Sequence, residues 1–374
     1  MKKILILSFT DLSSDPRVRR QIRFLKEEYE ITAVGTASPD IEGVFSIVLN
    51  EQRRNQYKKY INSVKLLGRL YENYYWSNPL IRESVEILSK KEFDIIISND
   101  IDTLPLALKI KRNAKVLFDA HEFAPKEFEE NLKWRLLYSN YKHYLCKKYI
   151  PKADAMLTVC QGIADEYEKN YEKKPIVVTN APEYKDIQPT ETDEKKIRII
   201  HHGGVNPSRK LEKMIDMMQY LDDRFCMDFM LVGDENYIYE LKTKANKNPR
   251  IRFIEPVKVE DICDKISEYD IGIYILEPNS FNNKMALPNK FFEFIQARLA
   301  VAIGPSPEMA RIVKQYDCGI IGEDYSPQSM AKILNSINAE KIDYYKKQSD
   351  KLAEIMCAEN NQEIVRNLVK RLLD

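Results

Sequence analysis

Two short segments of the chain combine residue types that can grip an anion. The first, after an apolar run, reads His201-His202-Gly203-Gly204-Val205-Asn206-Pro207-Ser208-Arg209-Lys210. Its glycine pair lets the backbone approach a ligand closely. A helix expected over Ser208–Tyr220 would aim its free N–H groups and its dipole at this loop. Arg209 then falls in the first helical turn, where a cation disfavours the helix itself. An anionic ligand accounts for that placement; a tight turn with a solvated arginine is the structural alternative. The second segment, Ala286-Leu287-Pro288-Asn289-Lys290-Phe291-Phe292-Glu293, predicts another helix opening at about Pro288, with Lys290 in its first turn. Two openings, each with an early cation, suit a diphosphate. Glu293 lies one turn further on. A carboxylate there can accept both hydroxyls of a ribose diol, or act only as an anion that suits a helix N-terminus.

Other candidate groups follow strands. His121 comes after the expected strand Val116–Asp119, and its ring can donate to a ligand hydroxyl or to the backbone. His201 and His202 alternate in direction along their own strand; one can line a cleft, and both can simply pack. Six cysteines at positions 146, 160, 226, 263, 318 and 357 show no CxxC spacing. They read as reduced core thiols of a cytosolic protein.

The elements that must position these groups alternate strand and helix. In the first half the strands expected are Ile4–Ser8, Ile31–Val34, Asp94–Ser98, Val116–Asp119, Ala155–Val159 and Ile176–Thr179. Asp15-Pro16 should cap a helix over Val18–Glu28. The pattern restarts with Ile197–His202, Phe229–Val232, Ile251–Ile254, Ile271–Leu276, Ala300–Ile303 and Gly319–Ile321. Such alternation predicts parallel sheets covered on both faces. A length of 374 residues suits two domains, divided at the polar stretch Ala181–Lys196. The division expected is 1–184, 185–355, and a last helix, 356–374, packing back on the first domain. Ligands of such sheets bind beyond the carboxyl ends of the strands, so two facing sheets make one cleft. A net charge of +1 argues against a nucleic-acid partner. The short apolar run at the N-terminus and the lack of any long apolar segment predict a cytoplasmic protein without a membrane span.

Taken together, SDPRVRRQIRFL, NDIDTLPLAL with FDAHEF, ADAMLTVCQGIADEYEKNY with VVTNAP, HHGGVNPSRKLEKMI and LPNKFFEFIQARLAVAIG resemble glycosyltransferase family 4. The resemblance spans most of the chain. It implies the GT-B fold: two Rossmann-like, doubly wound α/β domains facing across a cleft. It also implies a retaining, metal-independent hexosyltransferase with no cofactor, whose second domain binds a nucleotide-sugar donor, a UDP-sugar first of all. The first domain would bind a glycan or lipid-linked acceptor in surface polysaccharide or glycoconjugate synthesis. Carried over residue by residue, Arg209 and Lys290 face the diphosphate, Glu293 holds the ribose, and His121 lies near the donor sugar. These four form the catalytic set. Gly203, Gly204, Pro256, Val257, Pro288 and Asn289 complete the donor-binding set, and Asp15, Arg17, His121 and Glu122 form the acceptor side. Asp100-Ile101-Asp102 spells the DXD of metal-dependent transferases, but it lies in the other domain from the phosphate segments and reads as loop residues, so no metal ligand is expected.

The sequence departs from the family pattern at three points. Met285 stands where the first Glu of a Glu-x7-Glu motif belongs, Gly204 where an Arg is common, and Arg298-Leu299-Ala300 where Gly-Leu-Pro is usual. Met285 and Arg298 alone support a second reading, a catalytically silent partner that binds or stabilises an active transferase, and the retained Arg209, Lys290, Glu293 and His121 oppose it. Residues 53 to 76 combine Arg53, Arg54, Lys58, Lys59, Lys65 and Arg69 with six aromatic residues, and Lys133–Tyr149 is similar. A basic aromatic face can lie on an anionic membrane, stack on sugar rings, or form ordinary solvated helices. Peripheral contact with the inner membrane face therefore stays open.

Overall fold

The computed structural model describes residues 1–49 and 56–374. Arg53 and Arg54 lie outside the described residues, as do the side chains of Tyr57, Lys58 and Lys59. The chain divides into two compact units. One comprises Met1–Thr179, Ser280–Asn282 and Asn361–Asp374; the other comprises Asn180–Asn279 and Asn283–Asn360. No helix among the described residues is long and apolar enough to cross a membrane.

The first unit contains strands β1 (Lys3–Leu7), β2 (Glu30–Gly35), β3 (Phe45–Val48), β4 (Ile95–Asn99), β5 (Lys115–Ala120), β6 (Ala155–Thr158) and β7 (Ile176–Val177). They form one parallel sheet in the order β3-β2-β1-β4-β5-β6-β7. The order reverses between β1 and β4, which leaves a crevice at their carboxyl ends. Continuous apolar runs are what burial on both faces requires, and every residue of β4 is buried. Asp15 caps the helix Pro16–Leu25 by accepting from the N–H groups of Arg17 and Val18, with proline at the first position. Val18, Ile22 and Leu25 of that helix share a core with Ile4, Ile6, Ile95 and Ile97. Val365, Leu368 and Val369 of the last helix join the same core. The strand β3 has no counterpart in the sequence reading, although Phe45, Ile47 and Val48 are apolar; its four residues are half-buried or exposed at the sheet edge.

The second unit contains β8 (Ile197–Gly204), β9 (Phe225–Val232), β10 (Ile251–Ile254), β11 (Ile271–Tyr274), β12 (Ala300–Ile303) and β13 (Gly319–Ile321). Its parallel sheet runs β10-β9-β8-β11-β12-β13 and reverses between β8 and β11. The helix Asn289–Gln296 opens on Pro288, as expected, and Lys290 to Gln296 are all buried. This helix lies tight on the sheet because Gly272 of β11 has no Cβ; one placed there would fall inside the Phe294 ring.

The helix expected over Ser208–Tyr220 is a different object. Pro207–Arg209 forms a single 3-10 turn, capped by the Asn206 side chain on the Ser208 N–H. Lys210 then turns left-handed at φ 49°, and the α-helix proper covers only Glu212–Met217. Arg209 is therefore part of a capped turn rather than of a helix opening aimed at the glycines.

Candidate functional site

The residues after β8 and those opening the helix Asn289–Gln296 meet at the switch point of the second sheet. Gly203 has φ 111°, and a Cβ there would lie 3.4 Å from both Cε and Nζ of Lys290. The glycine thus provides both the backbone conformation and the space beside the lysine. Lys290 is 6% exposed. Its Nζ lies 3.3 Å from His201 Nε2 and 4.4 Å above the centre of the Tyr274 ring. His201 Nδ1 is 2.9 Å from the Ile273 carbonyl oxygen, which only accepts, so Nδ1 carries the proton. The bare Nε2 then accepts from Lys290. Among the described residues no carboxylate lies within ion-pair distance of Lys290. Burial, reinforced by Arg209 and opposed by Glu293, pushes its pKa down to about 7. Arg209 reaches back to the Gly204 carbonyl at 3.3 Å.

Glu293 is one turn along the same helix and also buried. His202 Nε2 stands 3.4 Å from its Oε2. Pro288 caps the helix and Asn289 opens it. Pro256 lines a separate pocket of about 520 Å³ at the ends of β9 and β10, with Gly233, Lys242 and Phe253. Val257 is the next residue along the chain.

In the first unit, His121 follows β5. Its Nε2 is 3.1 Å from Asn99 Oδ1, its Nδ1 is 3.3 Å from Asp100 Oδ2, and its backbone N–H donates to Asp100. Asp100 reaches the ring from a left-handed turn at φ 61°. Asn99 and Asp100 are therefore the residues that hold His121, and the acidic triplet is split in use, since Asp102 pairs with Lys142 at 2.6 Å. Among the described residues no group of three or more His, Cys, Asp or Glu side chains could hold a metal ion.

Arg17 is buried. Its Nε and Nη2 donate to the two oxygens of Asp119 at 2.9 and 2.7 Å, and its Nη1 donates to the Val178 carbonyl. Asp15 accepts from Thr10 as well as from its own helix. Both residues are engaged in holding the loop after β1. Glu122 borders a pocket of about 180 Å³ at the β1–β4 crevice with Asn99, Asp100, Asp102, Glu127 and Lys142. Burial, then the carboxylates of Glu127 and Asp100, push Glu122 up to about 9, so it is protonated at neutral pH.

Sequence reading missed the functions of His201, Asn99 and Asp100. No local signal could have found them: strand residues 201 and 202 face helix residues 290 and 293, which lie far away in the chain.

The family model for Glycosyltransferase Family 4 matches residues 18–181. No curated protein gave a significant match. Solved structures resemble the chain over almost its whole length. HepE of Anabaena, in complex with UDP-glucose, has a TM-score of 0.74 at 14% identity, over 99% of this chain and 100% of that one. A glycosyltransferase from Rickettsia africae ESF-5 gives 0.68 at 15%, over 100% and 99%. WaaG, a glycosyltransferase involved in lipopolysaccharide biosynthesis, gives 0.64 at 11%, over 98% and 99%. At such identities the likeness is one of fold. Residues 18–181 thus match the model of Glycosyltransferase Family 4, and the full-length likeness gives the chain the GT-B fold.

Proposed function

We propose that this glycosyltransferase is a retaining, metal-independent hexosyltransferase that takes a sugar from a nucleoside-diphosphate sugar, a UDP-sugar first of all. The acceptor is a glycan or lipid-linked molecule in surface polysaccharide or glycoconjugate synthesis. One observation carries the reading: Lys290, a buried amine with no counter-ion among the described residues, beside Gly203. Buried lysines are almost always paired, and an unpaired one loses its charge. A diphosphate would supply the missing partner. The complex of HepE with UDP-glucose supports the choice of base.

Breaking a sugar–phosphate bond leaves charge on the departing diphosphate. Lys290 and Arg209, held by the frame around them, stabilise that charge without reorganising. Gly203, Gly204, Pro288 and Asn289 bring backbone close to the phosphates, Glu293 takes the ribose, and Pro256 and Val257 border the base. On the acceptor side we keep His121 and Glu122 as contacts and assign Asp15 and Arg17 to positioning.

The test is Arg209→Ala, assayed by transfer from a labelled UDP-sugar. We expect a loss of about 100-fold or more in turnover, with little change in melting temperature because Arg209 sits on a partly exposed turn. Near-normal turnover would sink the assignment. The anomeric proton of the product, read by NMR, tests retention, and activity after chelation tests metal independence. Donor binding without transfer to any acceptor would instead favour the silent partner.

We also place the protein in the cytoplasm, in peripheral contact with the inner membrane face. Tyr60, Val64 and Leu67 form an i, i+4, i+7 stripe along the helix Gln56–Leu67 and are 71, 50 and 66% exposed. Leu132 and Leu136, on either side of Lys133 and Arg135, are exposed as well. Apolar side chains beside cations suit an anionic bilayer. By contrast, Tyr71, Tyr74 and Tyr75 of the same basic aromatic stretch are knitted into the unit, against Tyr141, Tyr144 and Asp102.

A further inference from the structure

We propose that His202 positions the Glu293 carboxylate for a ribose diol, so that the site selects ribonucleotide over deoxyribonucleotide donors. The proposal rests on the reading of Glu293 as the ribose ligand and adds to it a residue with no assigned function.

His202 is 1% exposed. Neither of its ring nitrogens makes a hydrogen bond among the described residues. Nε2 faces Glu293 Oε2 at 3.4 Å, close but without hydrogen-bonding geometry. The ring stands edge-on to Phe294, with centroids 5.3 Å apart and planes at 88°. The contrast with its neighbour is informative. His201 has both nitrogens used, one on the Ile273 carbonyl and one on Lys290. Buried polar atoms are almost always satisfied, and an orphaned pair is costly. An apolar residue of similar size would fill the slot against Phe294 without that cost. A polar ring in this place therefore calls for a partner.

Glu293 can be that partner. A carboxylate has about four acceptor positions, enough for two ribose hydroxyls and one imidazole N–H. Burial, with Lys290 adding, holds the His202 pKa down at about 3. The ring is thus a neutral imidazole with one N–H to give at any physiological pH. When the diol draws the carboxylate into line, His202 Nε2–H donates to one oxygen and fixes the orientation of both. A ligand without the 2′-hydroxyl leaves part of this network unmet, and a site built on such bonds rejects the analogue that lacks one.

The experiment titrates UDP and 2′-deoxy-UDP into the full chain by calorimetry. Wild type should prefer UDP by about 10- to 100-fold, the range of one hydrogen bond to a charged group. His202→Phe should melt at or above wild type, keep binding 2′-deoxy-UDP, and lose most of the preference. His202→Met serves the same purpose should the larger ring disturb the fold. His202→Gln, which can place an N–H where Nε2 stood, should recover part of the preference. In transfer assays His202→Phe should raise the donor KM with kcat little changed. Full wild-type discrimination in both apolar variants would overturn the proposal, as would equal binding of the two nucleotides by wild type. Failure of wild type to bind UDP at all would instead overturn the donor-site reading beneath it.

Discussion

The two sheets share one device and use it with different charge balance. Each reverses its strand order beside its first strand, β1 with β4 and β8 with β11, and each gathers polar side chains at the crevice this creates. In the first unit the cations are fully matched. Arg17 is forked onto Asp119, and Lys142 is gripped by Asp102 at 2.6 Å and Glu127 at 2.9 Å. Burial opposes the charge on Lys142, yet those two carboxylates hold its pKa up. In the second unit Lys290 has a histidine and an aromatic face but no carboxylate within ion-pair distance among the described residues, and its pKa falls. Two buried lysines of one chain thus sit in inverse states. A crevice whose charges are balanced internally suits an uncharged, hydroxyl-rich ligand, whereas one with an unmatched lysine that can take up a proton suits an anion.

The sharpest way to break this contrast is to remove each lysine in turn. Lys290→Met should lower kcat/KM for a UDP-sugar by about 100-fold or more. It should melt at or above wild type, since a buried unpaired ammonium is a cost to the fold. A variant that kept activity, or that unfolded, would contradict the assignment. Lys142→Met should do the reverse to the fold. It strands Asp102 and Glu127 and should remove about 2 kcal/mol, discounted because Asp102 is partly exposed. That corresponds to roughly 4–8 °C in a thermal melt.

A smaller effect is expected from pH. With Lys290 near 7 in the free protein and raised once a diphosphate arrives, binding takes up a proton above that pH. The Kd of UDP should be flat below about pH 7 and weaken about tenfold per unit above it. Flat affinity up to pH 9 would mean that Lys290 does not meet the phosphates. The weakest effect concerns the membrane. Val64→Asp with Leu67→Asp should reduce co-sedimentation with anionic liposomes while leaving donor binding unchanged. Equal pelleting would remove the stripe from the account.

What could be read from sequence was what is encoded locally. Every strand except β3 was foreseen, as were the Asp15-Pro16 cap and the helix opening at Pro288, because apolar runs and capping residues act over a few positions. The failures involve partners far apart. Arg17 meets Asp119 across 102 positions, and Lys290 meets His201 across 89, which no spacing rule anticipates. The helix expected from Ser208 failed for another reason: the Asn206 side chain caps a competing turn and Lys210 goes left-handed. Arg298 shows how a departure from a family pattern can be absorbed. It adopts φ 62° where glycine is usual, and its buried guanidinium donates to Asp350 and to the carbonyls of Gln296 and Lys185. Those bonds offset the left-handed conformation, so the change at this position is compensated structurally.

Proton counting shows whether a bound diphosphate recharges Lys290. UDP would be titrated at pH 8 in two buffers of different ionisation enthalpy, into wild type and into Lys290→Met. Wild type should take up nearly one proton per UDP bound, and the variant none. Binding of UDP to wild type with no proton taken up would contradict it, because the diphosphate would then have left the buried lysine as it was.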